Sequence, residues 1–220
     1  MPAPLNPRNL LLLLFALGVL FALIQIGLLQ IAFGKLGLSP SSAYLLLFSS
    51  LFGSMINLPL FTLRTDPQPP AEVQKPMFPG FPLWRFTNRT MVALNVGGGL
   101  IPVGFSLYLF QHSDVILMEA IQGIFFVTLV SYFFSRPIRG LGIGMPILIA
   151  PLSAALVAVL LNPDASAPLA YISGTMGVLI GADLLRLKDI RHLGAPLAAI
   201  GGAGTFDGIF ITGIVAVLLA

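Results

Sequence analysis

The chain has 220 residues, of which 57% are apolar, 9% charged and none cysteine, whereas soluble domains carry about 25% charged residues. This composition excludes a water-soluble globular enzyme, a disulfide-stapled secreted module and a thiolate metal site. The net charge of +3 comes from residues in short gaps between long apolar runs, so the partner it implies is the headgroup layer of a lipid bilayer and not a nucleic acid.

A hydrocarbon core of ~30 Å takes about 20 helical residues to cross. Apolar runs of that order predict spans at Leu10–Phe33, Ser42–Leu63, Met91–Phe110, Val115–Phe134, Ile143–Leu161, Pro168–Leu185 and Gly194–Ala220. The expected fold is therefore all-α: a seven-transmembrane-helix bundle forming a single polytopic domain over residues 1–220. The first run follows Arg8, as a signal peptide would. It is about twice as long as the usual 7–15-residue signal core, however, and reads as a retained helix.

With seven spans, ten of the eleven basic residues fall on one side: Arg8; Arg64, Lys75, Arg85 and Arg89; Arg136 and Arg139; Arg186, Lys188 and Arg191. Only Lys35 falls on the other. The positive-inside rule then puts the amino terminus in the cytoplasm and the carboxyl terminus outside, as expected for a multi-pass protein of the cytoplasmic (inner) membrane. Adding or removing one span would scramble this asymmetry.

The segment 64–89 between the second and third spans is expected to be a cytoplasmic loop. Pro67, Pro69, Pro70, Pro76, Pro79 and Pro82 favour extended, polyproline-like backbone there. Its second half sets Met77, Phe78, Phe81, Leu83, Trp84 and Phe86 beside Arg85, a composition that suits an interfacial anchor. A lid over a cytoplasmic cavity, or a docking site for a partner, is the sharper alternative.

A carboxylate near the bilayer centre costs about 2.5–3.5 kcal/mol, so three acids need a reason to be where they are. Glu119 lies little more than one turn into the fourth span and, with Gln122 at i+3, points toward the interface. Asp183 lies one turn from the cytoplasmic end of the sixth span, after Gly177 and Gly181, whose four-residue spacing lets another helix approach closely. Arg186 is available to it as an i,i+3 partner. Asp207 falls near the middle of the seventh span, in Gly201-Gly202-Ala203-Gly204-Thr205-Phe206-Asp207-Gly208. Toward the amino terminus its nearest basic residue is Arg191. Glycines so concentrated can break a helix at Gly201–Gly204, provided that protein or water satisfies the freed backbone groups.

The uncharged polar residues of the spans include Asn57 before Pro59, Asn95 before Gly97-Gly98-Gly99, Gln122, Ser173 and Thr175, any of which can bond neighbouring helices. His112 and His192 lie in loops on opposite sides and cannot share a metal. The sequence has no HExxH, GxxxxGK[ST] or GxSxG pattern, which sets aside zinc-protease, nucleotide-hydrolase and serine-hydrolase readings. No cofactor and no metal are expected.

In Ser135-Arg-Pro137 through Pro151, Gly181-Ala-Asp-Leu-Leu185 and Gly201 through Phe210, the chain resembles the bacterial and archaeal membrane family called domain of unknown function 1614. That resemblance covers most of the chain and brings no established activity. A looser one is to intramembrane aspartyl proteases such as presenilin, signal peptide peptidase and the prepilin peptidases, in which paired aspartates on neighbouring helices activate water. It implies an acid and a base in Asp183 and Asp207, acting on a membrane-embedded peptide. Gly204-Thr-Phe-Asp207 stands where that pattern has Gly-x-Gly-Asp, and no Pro-Ala-Leu segment follows.

In straight helices Asp183 would lie about six residues, or ~9 Å, from the centre of its span, with Asp207 near the midplane. A dyad therefore needs the seventh helix broken. The same offset suits a rival reading, in which Glu119, Asp207 and Asp183 mark outer, middle and inner depths of a proton or cation path for a small solute. A membrane scaffold without chemistry is the third reading. The topology itself is directly testable: a reporter active only outside the cytoplasm should be active when fused after Ala220 and silent when inserted between Pro70 and Lys75. The reverse pattern would overturn the seven-span arrangement.

Overall fold

The structure, a computed structural model, describes residues 26–65, 89–138, 142–192, 197–202 and 208–220. Most of the proline-rich loop and of the first span lie outside the described residues, as do Gly204, Thr205 and Asp207. In chain order the helices are α1 (Ile26–Lys35), α2 (Pro40–Gly53), α3 (Ile101–His112), α4 (Leu117–Phe134), α5 (Ile149–Leu161), α6 (Ser166–Val178) and α7 (Gly208–Leu219). The strands are β1 (Asn57–Arg64), β2 (Arg89–Asn95), β3 (Arg136–Ile138), β4 (Gly142–Gly144) and β5 (Leu197–Ile200). Two π-turns, Val96–Leu100 and Leu179–Leu184, run into α3 and out of α6.

The strands correct the all-α expectation. Three runs that read as continuous helices are hybrids: Ser42–Leu63 is α2 followed by β1, Met91–Phe110 is β2 followed by a π-turn and α3, and Gly194–Ala220 is β5, a glycine turn and α7. The residues at each break explain it. Pro59 cannot donate a helical hydrogen bond and would clash with the preceding turn, at ~3 kcal/mol in a helix interior, while Gly97-Gly98-Gly99 and Gly201-Gly202 are weak helix formers. Strand pairing then satisfies the backbone: β1 runs antiparallel to β2 from Asn57↔Asn95 to Arg64↔Arg89, and β5 runs parallel to β2 from Met91↔Leu197 to Leu94↔Ile200. β3 and β4 form a separate antiparallel pair.

Around this sheet the helices pack on α6. With its π-turn it continues over Ser166–Leu184, 19 residues, or ~28 Å at 1.5 Å per residue. One face presents Ser173, Gly177 and Gly181 to α4, which runs parallel to it. A Cβ at Gly177 would sit 2.6 Å from Val127 Cβ, and one at Gly181 would overlap the Thr128 carbonyl oxygen; across from Ser173, α4 itself has Gly123. The opposite face receives α7, with Gly213 against the Tyr171 ring and Gly174 beside Thr212 and Ala216. Tyr171 is completely buried and meets Phe105 of α3 edge to face at 5.0 Å.

Polar contacts tie the helix ends. Lys35 Nζ donates to the carbonyls of Val217 and Leu218 at 3.3 and 3.5 Å, a cation at the negative end of α7. Ser166 Oγ donates to the Ala220 carbonyl. Glu119 Oε2 accepts from the Ile116 N–H at the start of α4 and from Asn162 Nδ2 beyond α5. At the opposite end Arg186 closes α4: its guanidinium donates to the Tyr132 and Ser135 carbonyls, pairs with Asp189 at 3.0 Å and lies 4.4 Å over the Tyr132 ring.

The outer surface is apolar over its length. α4 exposes Phe125, Phe126, Leu129 and Phe133, and α5 exposes Leu152, Leu156 and Leu160; soluble monomers do not carry contiguous apolar faces of this size. α4, and α6 with its π-turn, are each long and apolar enough to cross a membrane, and α1 with α2, bent by 111°, would make a third such span. These features make the chain a membrane protein. Because Gly177 has no space for a side chain, Gly177→Leu should destabilise the α4–α6 seam by about 1–3 kcal/mol through overpacking. Gly104→Ala, whose Cβ would meet nothing within 4 Å, should be neutral or slightly stabilising; thermal unfolding in detergent measures both.

Candidate functional site

Asp183 sits in the π-turn that ends the central helix. The turn closes through Leu185 N–H on the Ile180 carbonyl at 2.9 Å, one residue wider than an α-helical bond. Such a bulge re-aims the side chains that follow it and recurs at functional sites. Asp183 Oδ2 accepts the Gly201 N–H at 2.9 Å. Gly201 and Gly202 have φ of +83° and +88°, a region that favours glycine. There the run Gly194–Ala220 turns after β5, so the carboxylate in the π-turn that ends α6 holds its break.

The turn rests on the other π-turn. A Cβ at Gly201 would sit 2.5 Å from Gly99 N and 2.7 Å from Gly98 C, so backbone lies directly on backbone. The parallel register Leu94↔Ile200 produces this approach, because β2 and β5 end side by side, β5 passing directly into Gly201 and β2 through Asn95 and Val96 into Gly97. Asn95, fully buried, fixes the second π-turn: its Oδ1 accepts the Gly98 N–H at 2.8 Å, and its Nδ2 donates to the Ser54 carbonyl at 2.7 Å and to Asn57 Oδ1 at 3.0 Å. Ser50 Oγ donates to the Gly97 carbonyl at 2.6 Å, and a Cβ at Gly97 would overlap the Ser50 carbonyl oxygen and Ser54 N. Three broken apolar runs thus meet at one junction of glycines and small polar side chains, with Asp183 at its edge.

Of the residues singled out in the sequence, Asn57, Asn95, Asp183, Gly201 and Gly202 come together here. Gly177 and Gly181 line the seam to α4 that leads to the junction. Gly208 begins α7; Gly204, Thr205 and Asp207 lie outside the described residues. Glu119 is at the other end of α4, where both hydrogen bonds of its Oε2 hold helix ends. Arg186, an available partner for Asp183, instead forms its ion pair with Asp189. Ser50, Gly53, Ser54 and the two π-turns also belong to the junction, and hydropathy along the chain does not distinguish them. The spacing of Ser50 and Ser54 with Gly53 between them is a small-residue face that could have flagged a close approach.

The antiparallel register of α6 and α7 pairs Ser166 with Ala220 and Gly174 with Thr212. Continued to the start of α7, it sets Gly208 level with Val178, five residues or ~7.5 Å along the axis from Asp183. Chemically, the junction offers an oriented carboxylate beside buried glycine turns. Among the described residues no group of three or more His, Asp or Glu side chains forms a metal-ligand set.

The chain matches the family described as "Protein of unknown function (DUF1614)" over residues 51–219. The match includes every junction residue but Ser50. No curated protein and no solved structure matches the chain. With well over half of its length inside that match, the chain belongs to the DUF1614 family.

The junction should respond to substitution in a definite order. Gly201→Ala combines an unfavourable φ with overlap on Gly98 and Gly99 and should cost about 1–3 kcal/mol or more. Asp183→Asn keeps an acceptor for the Gly201 N–H and should lose only the difference between a charged and a neutral hydrogen bond, about 1 kcal/mol. Asp183→Ala should speed exchange of the Gly201 amide. Thermal unfolding and amide hydrogen exchange report the three effects.

Proposed function

We propose that this member of the DUF1614 family is a multi-pass hydrolase of the aspartyl type in the cytoplasmic membrane, acting on an amide bond of a membrane-embedded peptide. Asp183 and Asp207 are its acid–base pair. The observation that carries the reading is the hydrogen bond from Gly201 to Asp183 at the break of the seventh span. In straight helices the two aspartates would be separated in depth; a seventh span that turns at Gly201 and restarts at Gly208 removes the need for straight helices.

In this reading one carboxylate removes a proton from water as the water oxygen attacks the amide carbon. The other carboxyl, protonated, donates to the carbonyl oxygen, and proton transfer to the nitrogen then releases the amine. Two neighbouring carboxyls with unequal environments can hold one proton between them, as both roles require. The apolar surface of α4 and α5 keeps such a site within reach of lipid-embedded chains. The peptide would reach the junction after local unwinding, since a helix hides its amide bonds behind side chains.

Orientation follows from charge. Among the described residues Arg64, Arg89, Arg136, Arg186, Lys188 and Arg191 lie toward the junction end, and Lys35 lies at the end where α7 finishes. The positive-inside rule makes the junction end cytoplasmic. Against the rival transport path, Glu119 Oε2 is engaged at helix ends by the Ile116 N–H and Asn162 Nδ2, a structural use of that carboxylate.

The test is cleavage of single-span peptides by the purified full chain in proteoliposomes. Because a dyad acts as a unit, Asp183→Asn, Asp207→Asn and the double variant should each lose activity to nearly the same extent, by a factor of 10³ or more, while still inserting and folding. Glu119→Gln should leave cleavage nearly intact. A proton- or cation-coupled flux that is lost in Asp183→Asn and Glu119→Gln, with no peptide cleaved by the wild type, would replace hydrolysis by transport.

A further inference from the structure

Asn95 is 88 positions from Asp183 in sequence, yet direct contacts connect them. Its side chain is completely buried, and an amide buried among apolar spans is unfavourable unless its hydrogen bonds are met. Its orientation follows from its partners: the oxygen must face the Gly98 N–H, and the nitrogen must face the Ser54 carbonyl and Asn57 Oδ1. As the N-cap of the π-turn Val96–Leu100, it sets where Gly98 and Gly99 lie. Those two residues are the bed of Gly201, whose N–H is held by Asp183.

We infer that Asn95 is a positioning residue for the Asp183 carboxylate, acting through its cap on Gly98 and the backbone contact of Gly98 and Gly99 with Gly201. The inference deepens the aspartyl reading and rests on it for functional meaning, since it names a third polar residue on which the acid–base geometry depends. The chain of contacts is short and rigid. The cap fixes the π-turn, glycine on glycine leaves no side chain to absorb a displacement, and the positive φ of Gly201 leaves few alternative conformations for its N–H. A shift of the π-turn must therefore either move the Gly201 N–H off Asp183 or carry the carboxylate with it. The donors of Asn95 do different work, fastening the end of α2 and the start of β1.

The experiment uses the full chain in nanodiscs with glycine labelled in its backbone nitrogen and aspartate in its carboxyl carbon. The Gly201 resonance is assigned by its loss in Gly201→Ala and the Asp183 infrared band by its loss in Asp183→Asn. Asn95→Ala should speed exchange of the Gly201 amide by a factor of ten or more and displace the Asp183 carboxylate band. Asn95→Ser, which restores an acceptor for Gly98 but neither amide donor, should return both signals most of the way. Asn57→Ala, which removes a partner of the donors only, should leave them near wild type. An unmoved Gly201 amide and Asp183 band in folded Asn95→Ala would overturn the inference, as would Asn95→Ser behaving like Asn95→Ala. A second measurement needs no substitution at Asn95: in the wild type the Gly98 and Gly201 amides should exchange with protection factors within about threefold of each other. A Gly98 amide exchanging a hundredfold faster than Gly201 would show the two to be uncoupled. None of these signals requires turnover, so an absence of hydrolysis would remove the proposed activity while leaving the positioning role to be decided on its own.

Discussion

In hydrocarbon every backbone N–H and C=O must find a partner within the protein, and most of this structure follows from how three broken apolar runs meet that demand. A continuous helix satisfies its own groups. The runs Ser42–Leu63, Met91–Phe110 and Gly194–Ala220 give that up at Pro59, at Gly97–Gly99 and at Gly201–Gly202, and the sheet β1–β2–β5 restores much of what they lose. Side chains meet the demand at the joints. Asn95 caps one π-turn, Asp183 takes the N–H of the glycine turn, Arg186 takes the last carbonyls of α4, and Lys35 takes those of α7.

This explains why the polar residues of so apolar a chain are concentrated at a few positions. A side chain that satisfies backbone groups from two elements at once fixes their relative position, and Asn95 does so for the end of α2 and the turn into α3 while also donating to the Asn57 side chain at the start of β1. The glycines play the complementary part. Where Gly97 lies on Ser50 and Ser54, and Gly201 on Gly98 and Gly99, a side chain would hold the backbones apart and the hydrogen bonds could not form. Close approach and polar satisfaction are therefore one requirement at this junction.

The same economy shapes the functional reading. Asp183 positions backbone as well as belonging to the proposed pair, so substitutions there act on geometry and on charge together. Asn substitution keeps an acceptor and changes mainly the charge; Ala substitution removes both. The small-residue seam between α4 and α6 leads to the junction from the other side, so packing at Gly177 and Gly181 bears on where the π-turn carrying Asp183 begins.

Much was legible in the sequence. Nine-per-cent charge and long apolar runs require a lipid environment, because water could not solvate such a surface. The residues that would break helices, Pro59 and the two glycine groups, could be named, and so could Asn57, Asn95 and Asp183 as polar groups in need of partners. Hydropathy could not say that the broken halves would be strands, since an apolar stretch satisfies its hydrogen bonds equally well in a helix or in a sheet and only the neighbouring strand decides. Nor could spacing along the chain assign partners. Arg186 at i+3 was open to Asp183, but the carboxyl end of α4 and Asp189 hold its guanidinium, whereas the Gly201 N–H, 18 residues away, comes to the carboxylate. The sequence by itself determined which groups could not be left alone in lipid; which groups answered them was decided by tertiary structure, because the register of β2 with β5 and the packing of α6 between α4 and α7 set the distances over which a hydrogen bond can form.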